Sequence, residues 1–343
     1  MTNPTGAVFL KRFTTKDNPL SMSFGQWYNN MKKCSLKWHF RYNMKYHKHI
    51  PKAQIMVDGI DYHSDAEEGY EKIEVVDGQV VMFDEDQLVE KGYTKEQRER
   101  LFFLEDWMQT KYEDTGKLPE LVGMELSIAS PPELICGLWI RRMGVIDMLW
   151  RTEDGYFIWD FKTSDIIQRN EESPNFNQVR TSKVNNDFHQ LYYYNGILQN
   201  PETIVYRDRF LEHPLLLEDD DGNEIPVKGG KVAGVGLVYP KNRTFFRRLT
   251  TPVPRGTKNT SRLQDRSMDT IEKHLHSSIK KIMTEPIQPE FNAYYCNEWC
   301  DWAQEDTLLC NFESVDLSKL HRVNSLVELQ MLAEDLQDGD DWL

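Results

Sequence analysis

Two apolar segments that flank the dipeptide Asp154-Gly155 constrain the fold of this chain more than any other feature of its sequence. Both segments are rich in β-branched and aromatic residues, which favour strands. An Asp-Gly dipeptide between two such segments is a strong signal for a tight β-hairpin. The sequence therefore predicts two antiparallel strands, Leu138–Trp150 and Tyr156–Lys162, around a turn at Thr152–Gly155.

Three polar side chains of this hairpin are predicted to share one face. If Asp154 and Gly155 form the loop, Asp147 lies opposite Lys162. Asp160 precedes Lys162 by two residues, and side chains two apart along a strand point to the same side. The other face of the second strand is predicted to join the core: Phe157, Trp159 and Phe161.

Two carboxylates and a lysine on one face suit the hydrolysis of a phosphodiester. Carboxylates hold hard cations such as Mg²⁺ or Mn²⁺, which lower the pKa of a bound water and polarise the phosphate. The ammonium group of Lys162 is suited to orienting the attacking water or stabilising the charge that develops on the phosphate. The alternative interpretation is an exposed cross-strand pair of Asp147 and Lys162, a common surface feature. The hairpin alone leaves both interpretations open.

Helical and strand patterns alternate along the rest of the chain and indicate a mixed α/β core. Thr94 and Gln97 form the capping-box pattern that opens an amphipathic helix. The predicted helices are Asp61–Ile73, Thr94–Tyr112, Asn186–Gln199, Asp265–Thr284 and Ser325–Leu336, and the further predicted strands are Met124–Ala129 and Val232–Tyr239.

The overall charge excludes one class of nucleic-acid protein. The chain has 343 residues and a net charge of −14, whereas a protein that coats nucleic acid needs a basic surface. An enzyme with a local basic groove is still allowed, and segments 27–49 and 241–248 are candidates for its walls. No apolar run reaches about 18 residues and the N-terminus has no apolar secretion signal, so we expect a cytoplasmic protein without membrane contact.

Taken in order, six positions resemble the PD-(D/E)XK nuclease superfamily, and within it the RecB-like exonuclease branch of CRISPR-associated and phage type. They stand in four motifs: His63 in DGIDYHSDAEEGYE, Asp147 in GVIDML, Asp160 and Lys162 in WDFKTSD, and Gln190 and Tyr194 in HQLYYYNG. The resemblance implies a restriction-endonuclease-like core, a mixed central sheet flanked by helices, with helical N- and C-terminal additions. It also implies a Mg²⁺- or Mn²⁺-dependent DNA exonuclease that acts on single strands or duplex ends in recombination, repair or replication, and it fits a virus-encoded protein.

The same resemblance implies a role for each residue. The implied metal ligands are His63, Asp147, Asp160 and the backbone carbonyl of Phe161. Lys162 would be the catalytic lysine, and Gln190 and Tyr194, four apart on one helix face, would contact DNA or support that lysine. Glu125 occupies a strand position where relatives often carry an acidic residue.

Alternatives stay open for the function and for single residues. A non-catalytic DNA-binding or assembly module would keep the fold, although the intact set of carboxylates and lysine speaks against it. A structure-specific endonuclease is the other alternative. A lone helical histidine such as His63 is often a packed or surface residue. Gln190 is otherwise an ordinary polar position, and Tyr194 is chosen among three consecutive tyrosines by resemblance only.

Four cysteines form a separate candidate site: Cys34, Cys296, Cys300 and Cys310. One N-terminal and three C-terminal cysteines resemble the set with which many RecB-like nucleases bind a [4Fe–4S] cluster. The last three stand as Cys-x3-Cys-x9-Cys, a wider spacing than in those relatives. Zinc bound by the same thiolates, or no metal, stays open. The fifth cysteine, Cys136, is predicted to be a small core residue. An odd count argues against a disulfide scaffold.

The sequence-based division of the chain has four segments. They are a helical N-terminal region, 1–120, with Cys34 and His63; a nuclease core, 121–285; a cysteine-rich segment that packs back on the N-terminal region, 286–320; and a helix with an acidic tail, 321–343. The tail, AEDLQDGDDWL, combines acidic residues with an apolar tip. It is predicted to dock to a replication or recombination protein, to occupy the groove of this chain, or to be solvated.

Overall fold

Helices and strands alternate along the chain in a computed structural model that describes residues 14–32, 34, 46–47, 54–168, 178–218, 222–253, 257–285 and 321–322. The helices are α1 (Gln54–Glu71), α2 (Glu85–Glu90), α3 (Lys95–Thr115), α4 (Thr181–Leu198) and α5 (Asp265–Thr284), with a π-helical segment at Gly25–Met31 and a 3-10 turn at Pro240–Asn242. The strands are β1 (Leu20–Met22), β2 (Tyr46–His47), β3 (Glu74–Val76), β4 (Gln79–Val81), β5 (Glu120–Ala129), β6 (Glu133–Ile135), β7 (Leu138–Thr152), β8 (Gly155–Phe161), β9 (Ile167–Gln168), β10 (Gln178–Val179), β11 (Ile204–Tyr206), β12 (Leu216–Glu218), β13 (Glu224–Pro226), β14 (Val232–Tyr239), β15 (Thr244–Leu249), β16 (Thr260–Arg262) and β17 (His321–Arg322).

The predicted hairpin, β7 and β8, lies at the centre of a mixed β-sheet with the strand order β11-β5-β7-β8-β14-β15-β16. Strand β8 pairs antiparallel with β7 and parallel with β14. Strands β1 and β6 also pair with β7 but are not part of this strand order. The predicted mixed α/β fold, with a central sheet flanked by helices, is confirmed.

The chain divides into two compact units. The first consists of Gln54–Ala129 and Val145–Met268, and it contains α1 to α4, β8 and the part of β7 from Val145 onward. The second consists of the described parts of Met1–Ala53, Ser130–Gly144 and Asp269–Leu343. Every helix in the described residues is too short or too polar to cross a lipid bilayer.

Apolar side chains on one face of the hairpin pack against α1 and α3. Trp107 of α3 stacks on Trp150 of β7 at a centroid distance of 5.2 Å and meets Trp159 of β8 edge-on at 4.6 Å. Phe157, Trp159 and Phe161 are all buried in this cluster, as predicted. Helix α4 packs against β5, β8 and β14. Because β8 is buried along most of its length, a polar residue placed on it must find its partners inside the protein.

The hairpin register differs from the predicted one. The loop residues are Glu153 and Asp154, and Gly155 is already in β8, paired with Thr152. Gly155 has φ +132°, and a Cβ there would lie 2.3 Å from the carbonyl oxygen of Lys231. The glycine is thus needed for a close backbone approach rather than for the turn. The pairing is displaced by two positions, so every side chain keeps its predicted face.

With the observed register, Asp147 comes opposite Asp160, whereas the prediction placed it opposite Lys162. The polar groups still share one face, because only a displacement by an odd number of residues moves side chains to the opposite face of the sheet.

Cys136 is exposed, and the prediction of a small core residue is wrong. The turn between β6 and β7 consists of Cys136 and Gly137, with φ of +50° and +82°. Two positive φ angles are what a type I′ hairpin turn requires, and the tip of such a turn faces solvent. Cys34 is partly buried. Several predicted features lie outside the described residues: Cys296, Cys300, Cys310, the helix Ser325–Leu336 and the acidic tail.

Candidate active site

Asp147 and Asp160 meet inside the protein, on adjacent strands of the sheet. Asp147 is 9% exposed and Asp160 is 1% exposed. The backbone N–H of Phe161 donates a hydrogen bond of 2.6 Å to Oδ2 of Asp147. This bond fixes the carboxylate of one strand to the backbone of the next, so the hairpin itself determines where Asp147 points.

Lys162 directly follows β8 and is held from three sides. Its backbone N–H donates to the carbonyl oxygen of Val238 in β14, at 2.8 Å. Its Nζ lies 2.7 Å from Oδ2 of Asp160 and donates to Oε1 of Gln190 at 2.9 Å. Nε2 of Gln190 donates in turn to the hydroxyl of Tyr194 at 2.7 Å. Gln190 and Tyr194 of α4 therefore form a chain of hydrogen bonds that ends on the lysine ammonium.

A second group of side chains lies against Asp147. One ligand atom each from His63, Glu125 and Asp147 lie within 4.8 Å of one another. Nδ1 of His63 is 3.1 Å from Oε1 of Glu125, and its Nε2 is 3.9 Å from Oδ2 of Asp147. Imidazole nitrogen and carboxylate oxygen bind divalent cations at about 2.0–2.6 Å, so one ion fits between three such atoms.

Glu125 belongs to this cluster through an unusual backbone conformation. Its φ is +49°, which is uncommon for a residue other than glycine. Such conformations persist where the surrounding structure enforces them, and they concentrate at functional sites. The other carboxylate oxygen of Glu125 lies 3.4 Å from the guanidinium of Arg209. The family resemblance marks Glu125 as an acidic strand position but does not place it among the implied metal ligands.

Two of the implied metal ligands, Asp160 and Phe161, lie outside the cluster of His63, Glu125 and Asp147. Asp160 is paired with Lys162 and is not in the group of three, although it lies beside Asp147. Phe161 contributes its N–H to Asp147, and ligation through its carbonyl stays a prediction. Asp147 connects both groups, since it belongs to the possible metal cluster and also faces Asp160.

The buried carboxylates of Asp147 and Asp160 bring more negative charge into the site than the ammonium group of Lys162 balances. Burial raises the pKa of Asp147 well above its usual value, and the nearby charge of Asp160 adds to this effect. Burial also raises the pKa of Asp160, although Lys162 opposes it. A bound cation would supply the positive charge that two buried carboxylates need, so the donor set fits a divalent metal on electrostatic as well as geometric grounds.

Two side chains beside the aspartates, Glu125 and Lys162, also have shifted pKa values. Burial acts to raise the pKa of Glu125, but His63 and Arg209 outweigh it and the pKa is lowered. Burial acts to lower the pKa of Lys162, but Asp160 and Asp147 outweigh it and the pKa is raised. Lys162 is therefore held as an ammonium ion.

A further acidic residue, Asp187, lies one turn before Gln190 on α4 and was not found from the sequence. Its Oδ2 accepts a hydrogen bond of 2.7 Å from the hydroxyl of Tyr239 and lies 3.1 Å from Nζ of Lys183. Its negative charge contributes to the raised pKa of Lys162. The spacing of three residues from Gln190 places it on the same helix face, which is the only sequence signal that points to it.

The fold and the site together define a class of protein, the metal-dependent phosphodiester hydrolases, because they combine buried carboxylates, a charged lysine and a possible cation cluster. The family model of the PD-(D/E)XK nuclease superfamily matches residues 26–304, well over half of the chain. The chain belongs to this superfamily, whose members are nucleases that use divalent cations such as Mg²⁺ or Mn²⁺. The fold suggests DNA as the substrate. A comparison with curated proteins gives no match.

Proposed function

We propose that this chain is a Mg²⁺- or Mn²⁺-dependent DNA exonuclease of RecB-like type. It acts in the cytoplasm on single strands or duplex ends during recombination, repair or replication. The observation that carries the proposal is the position of Asp147 between two groups: the possible cation ligands His63 and Glu125 on one side, and Asp160 with Lys162 on the other.

His63, Glu125 and Asp147 would hold the cation, with Asp160 next to them. When bound, a divalent cation lowers the pKa of a coordinated water and polarises the scissile phosphate. Asp160 is ion-paired with Lys162 and keeps the lysine beside Asp147. In this proposal, the cation ligands and the ammonium group of Lys162 lie on the same side of the hairpin.

Lys162 is suited to act by its charge. Because its pKa is raised by the two aspartates, it keeps its proton and is a poor general acid. An ammonium held 2.9 Å from Gln190 is preorganised for the extra negative charge of a phosphoryl transition state. Gln190 and Tyr194 act as positioning residues, since their contacts in the site run through the lysine.

Digestion of labelled DNA tests this proposal. The substrates are single strands and duplexes labelled at either end, and a circular single strand, with Mg²⁺, Mn²⁺ or a chelator. We expect metal-dependent release of nucleotides from linear ends, with the circle intact. Cleavage of the circle would indicate the structure-specific endonuclease instead. Binding to DNA without cleavage in either metal would support the non-catalytic module.

Lys162→Ala is expected to lower kcat at least 100-fold, because removing one preorganised charge from a transition state typically has that effect. The matched control is Lys95→Ala, which removes the same charge from α3 at a side chain that is 84% exposed. Both variants are first compared by circular dichroism to show that they are folded. Full activity of Lys162→Ala would contradict the assignment of the site.

A further inference from the structure

The loop between β11 and β12, residues 207–215, presents an aromatic ring to solvent. Phe210 is 58% exposed. Among the residues that the structure describes, it is the only exposed Phe, Tyr or Trp side chain. Burial of a phenyl ring is strongly favourable, so a ring held in water suggests a partner that covers it.

Hydrogen bonds within the loop fix this position of the ring. The carboxylate of Asp208 accepts from the backbone N–H groups of Phe210 at 2.8 Å, Glu212 at 3.2 Å and His213 at 2.7 Å. The N–H of Arg207 donates to the carbonyl oxygen of His213 at 2.9 Å and closes the base of the loop. The backbone that carries Phe210 is therefore ordered by the loop itself.

The residue before Phe210 contacts the possible cation cluster. Nη2 of Arg209 lies 3.4 Å from Oε2 of Glu125, whose Oε1 is 3.1 Å from His63. The side chain of Arg209 is 39% exposed, and a guanidinium has five N–H donors. It can therefore keep its contact with Glu125 and still bind a second anion from solvent.

An aromatic ring and an arginine at the edge of a nuclease site match the chemistry of single-stranded nucleic acid. Unpaired bases stack on aromatic rings, and guanidinium groups bind phosphate oxygens. Bases inside a duplex are already stacked on both sides and do not offer a free face. The combination of Phe210 with Arg209 therefore favours a strand whose bases are unpaired at the point of cleavage.

We propose that Phe210 stacks on an unpaired base beside the scissile phosphate while Arg209 binds a neighbouring phosphate, so that single-stranded DNA is the preferred substrate class. The proposal rests on the proposed nuclease function and deepens it.

The test is a double-mutant cycle between the protein and its substrate. The full-length chain and its Phe210→Ala variant digest single strands in which one abasic nucleotide is placed in turn at each position near the cleavage point. For the original protein, one abasic position is expected to lower kcat/KM by roughly 10-fold, the typical effect of one lost stacking contact. Phe210→Ala should lower kcat/KM on the intact strand by the same factor. The two changes together should cause no further loss, because they remove the same contact.

Two further variants complete the design. Phe210→Trp keeps a stacking surface and should retain the activity on single strands. Val89→Ala alters an exposed apolar residue on α2, away from the loop, and should have no effect. Multiplicative effects of Phe210→Ala and the abasic position would overturn the proposal. So would an equal weakening of binding to single strands and to a circular duplex, in which every base is paired and stacked on both faces.

Binding experiments separate this proposal from the proposed nuclease activity. The affinity of labelled single strands is measured by fluorescence anisotropy with Ca²⁺, under conditions without cleavage. A protein that degrades no DNA in Mg²⁺ or Mn²⁺ contradicts the proposed function. A roughly 10-fold weaker binding of Phe210→Ala would still support the stacking contact, and unchanged binding would contradict it.

Discussion

Glu125 is the residue whose role differs most from what its sequence context indicates. A strand residue normally alternates in direction with its neighbours, but the positive φ of Glu125 breaks that alternation. The result is a carboxylate directed to His63 and 3.1 Å from its Nδ1. This contact, together with Asp147, makes Glu125 a predicted metal ligand.

The prediction is that Glu125→Gln weakens Mn²⁺ binding by roughly 10-fold or more, because even partners of metal ligands change affinity by that amount. Isothermal titration calorimetry without DNA measures it directly. Glu120→Gln is the matched control, since Glu120 lies on the same strand but pairs with Arg151 at the surface. Equal affinities of the two variants would show that Glu125 is not a ligand.

At the residue scale, the sequence predicted the positions that depend on strand parity. Asp147 and Asp160 needed only the alternation of side chains, which survived the error in register. Glu125 could not be predicted in the same way, because a positive φ at a glutamate follows from tertiary constraints. Asp187 was missed for another reason: its contact to Tyr239 joins residues 52 positions apart.

At the element scale, predictions were best where a helix or strand carries its own boundary signals. The capping box of Thr94 and Gln97 opens α3 as predicted, and Gly116, with φ +70°, ends it. Helix α4 begins at Thr181, five residues before the predicted Asn186, and no side chain caps its N-terminus. Without a capping side chain, the sequence has no local signal that marks where this helix begins.

The close approach of β8 to Lys231 depends on Gly155, and its replacement gives a test at this scale. Gly155→Ala is expected to destabilise the protein by about 3 kcal/mol, since a backbone conformation that residues other than glycine rarely adopt costs about 1–3 kcal/mol and overpacking adds a similar amount. The added Cβ would lie 2.3 Å from the Lys231 carbonyl oxygen. Urea denaturation measures the free energy of unfolding.

The control for this prediction is Gly78→Ala. Gly78 also has a positive φ, +81°, but a Cβ there has no neighbour within 4 Å. It should therefore show only the conformational cost of about 1–2 kcal/mol. If both variants lose the same stability, the close approach to Lys231 contributes nothing and the role assigned to Gly155 is wrong.

At the scale of the whole molecule, the net charge of −14 opposes the approach of DNA, so the proposed activity depends on local positive charge. Lys162, Arg209 and a bound cation would supply it at the site. Electrostatic attraction of this kind is short-ranged at physiological ionic strength, with a screening length of about 8 Å. The chain is thus suited to engage DNA at one point rather than along its length.

The four cysteines predicted to bind a cluster come from both ends of the sequence, and they carry the last prediction. Cys34 and Cys300 stand 266 positions apart in the chain. A [4Fe–4S] cluster needs thiolates from all four ligands, so the anaerobically purified full chain should be brown and contain iron and acid-labile sulfide in equal amounts. Cys300→Ser should lose most of the iron, whereas Cys136→Ser, at an exposed residue outside the set, should keep it. Zinc without iron would support the alternative of a tetrahedral thiolate site. A colourless protein without either metal would contradict both and support the interpretation that these cysteines bind no metal.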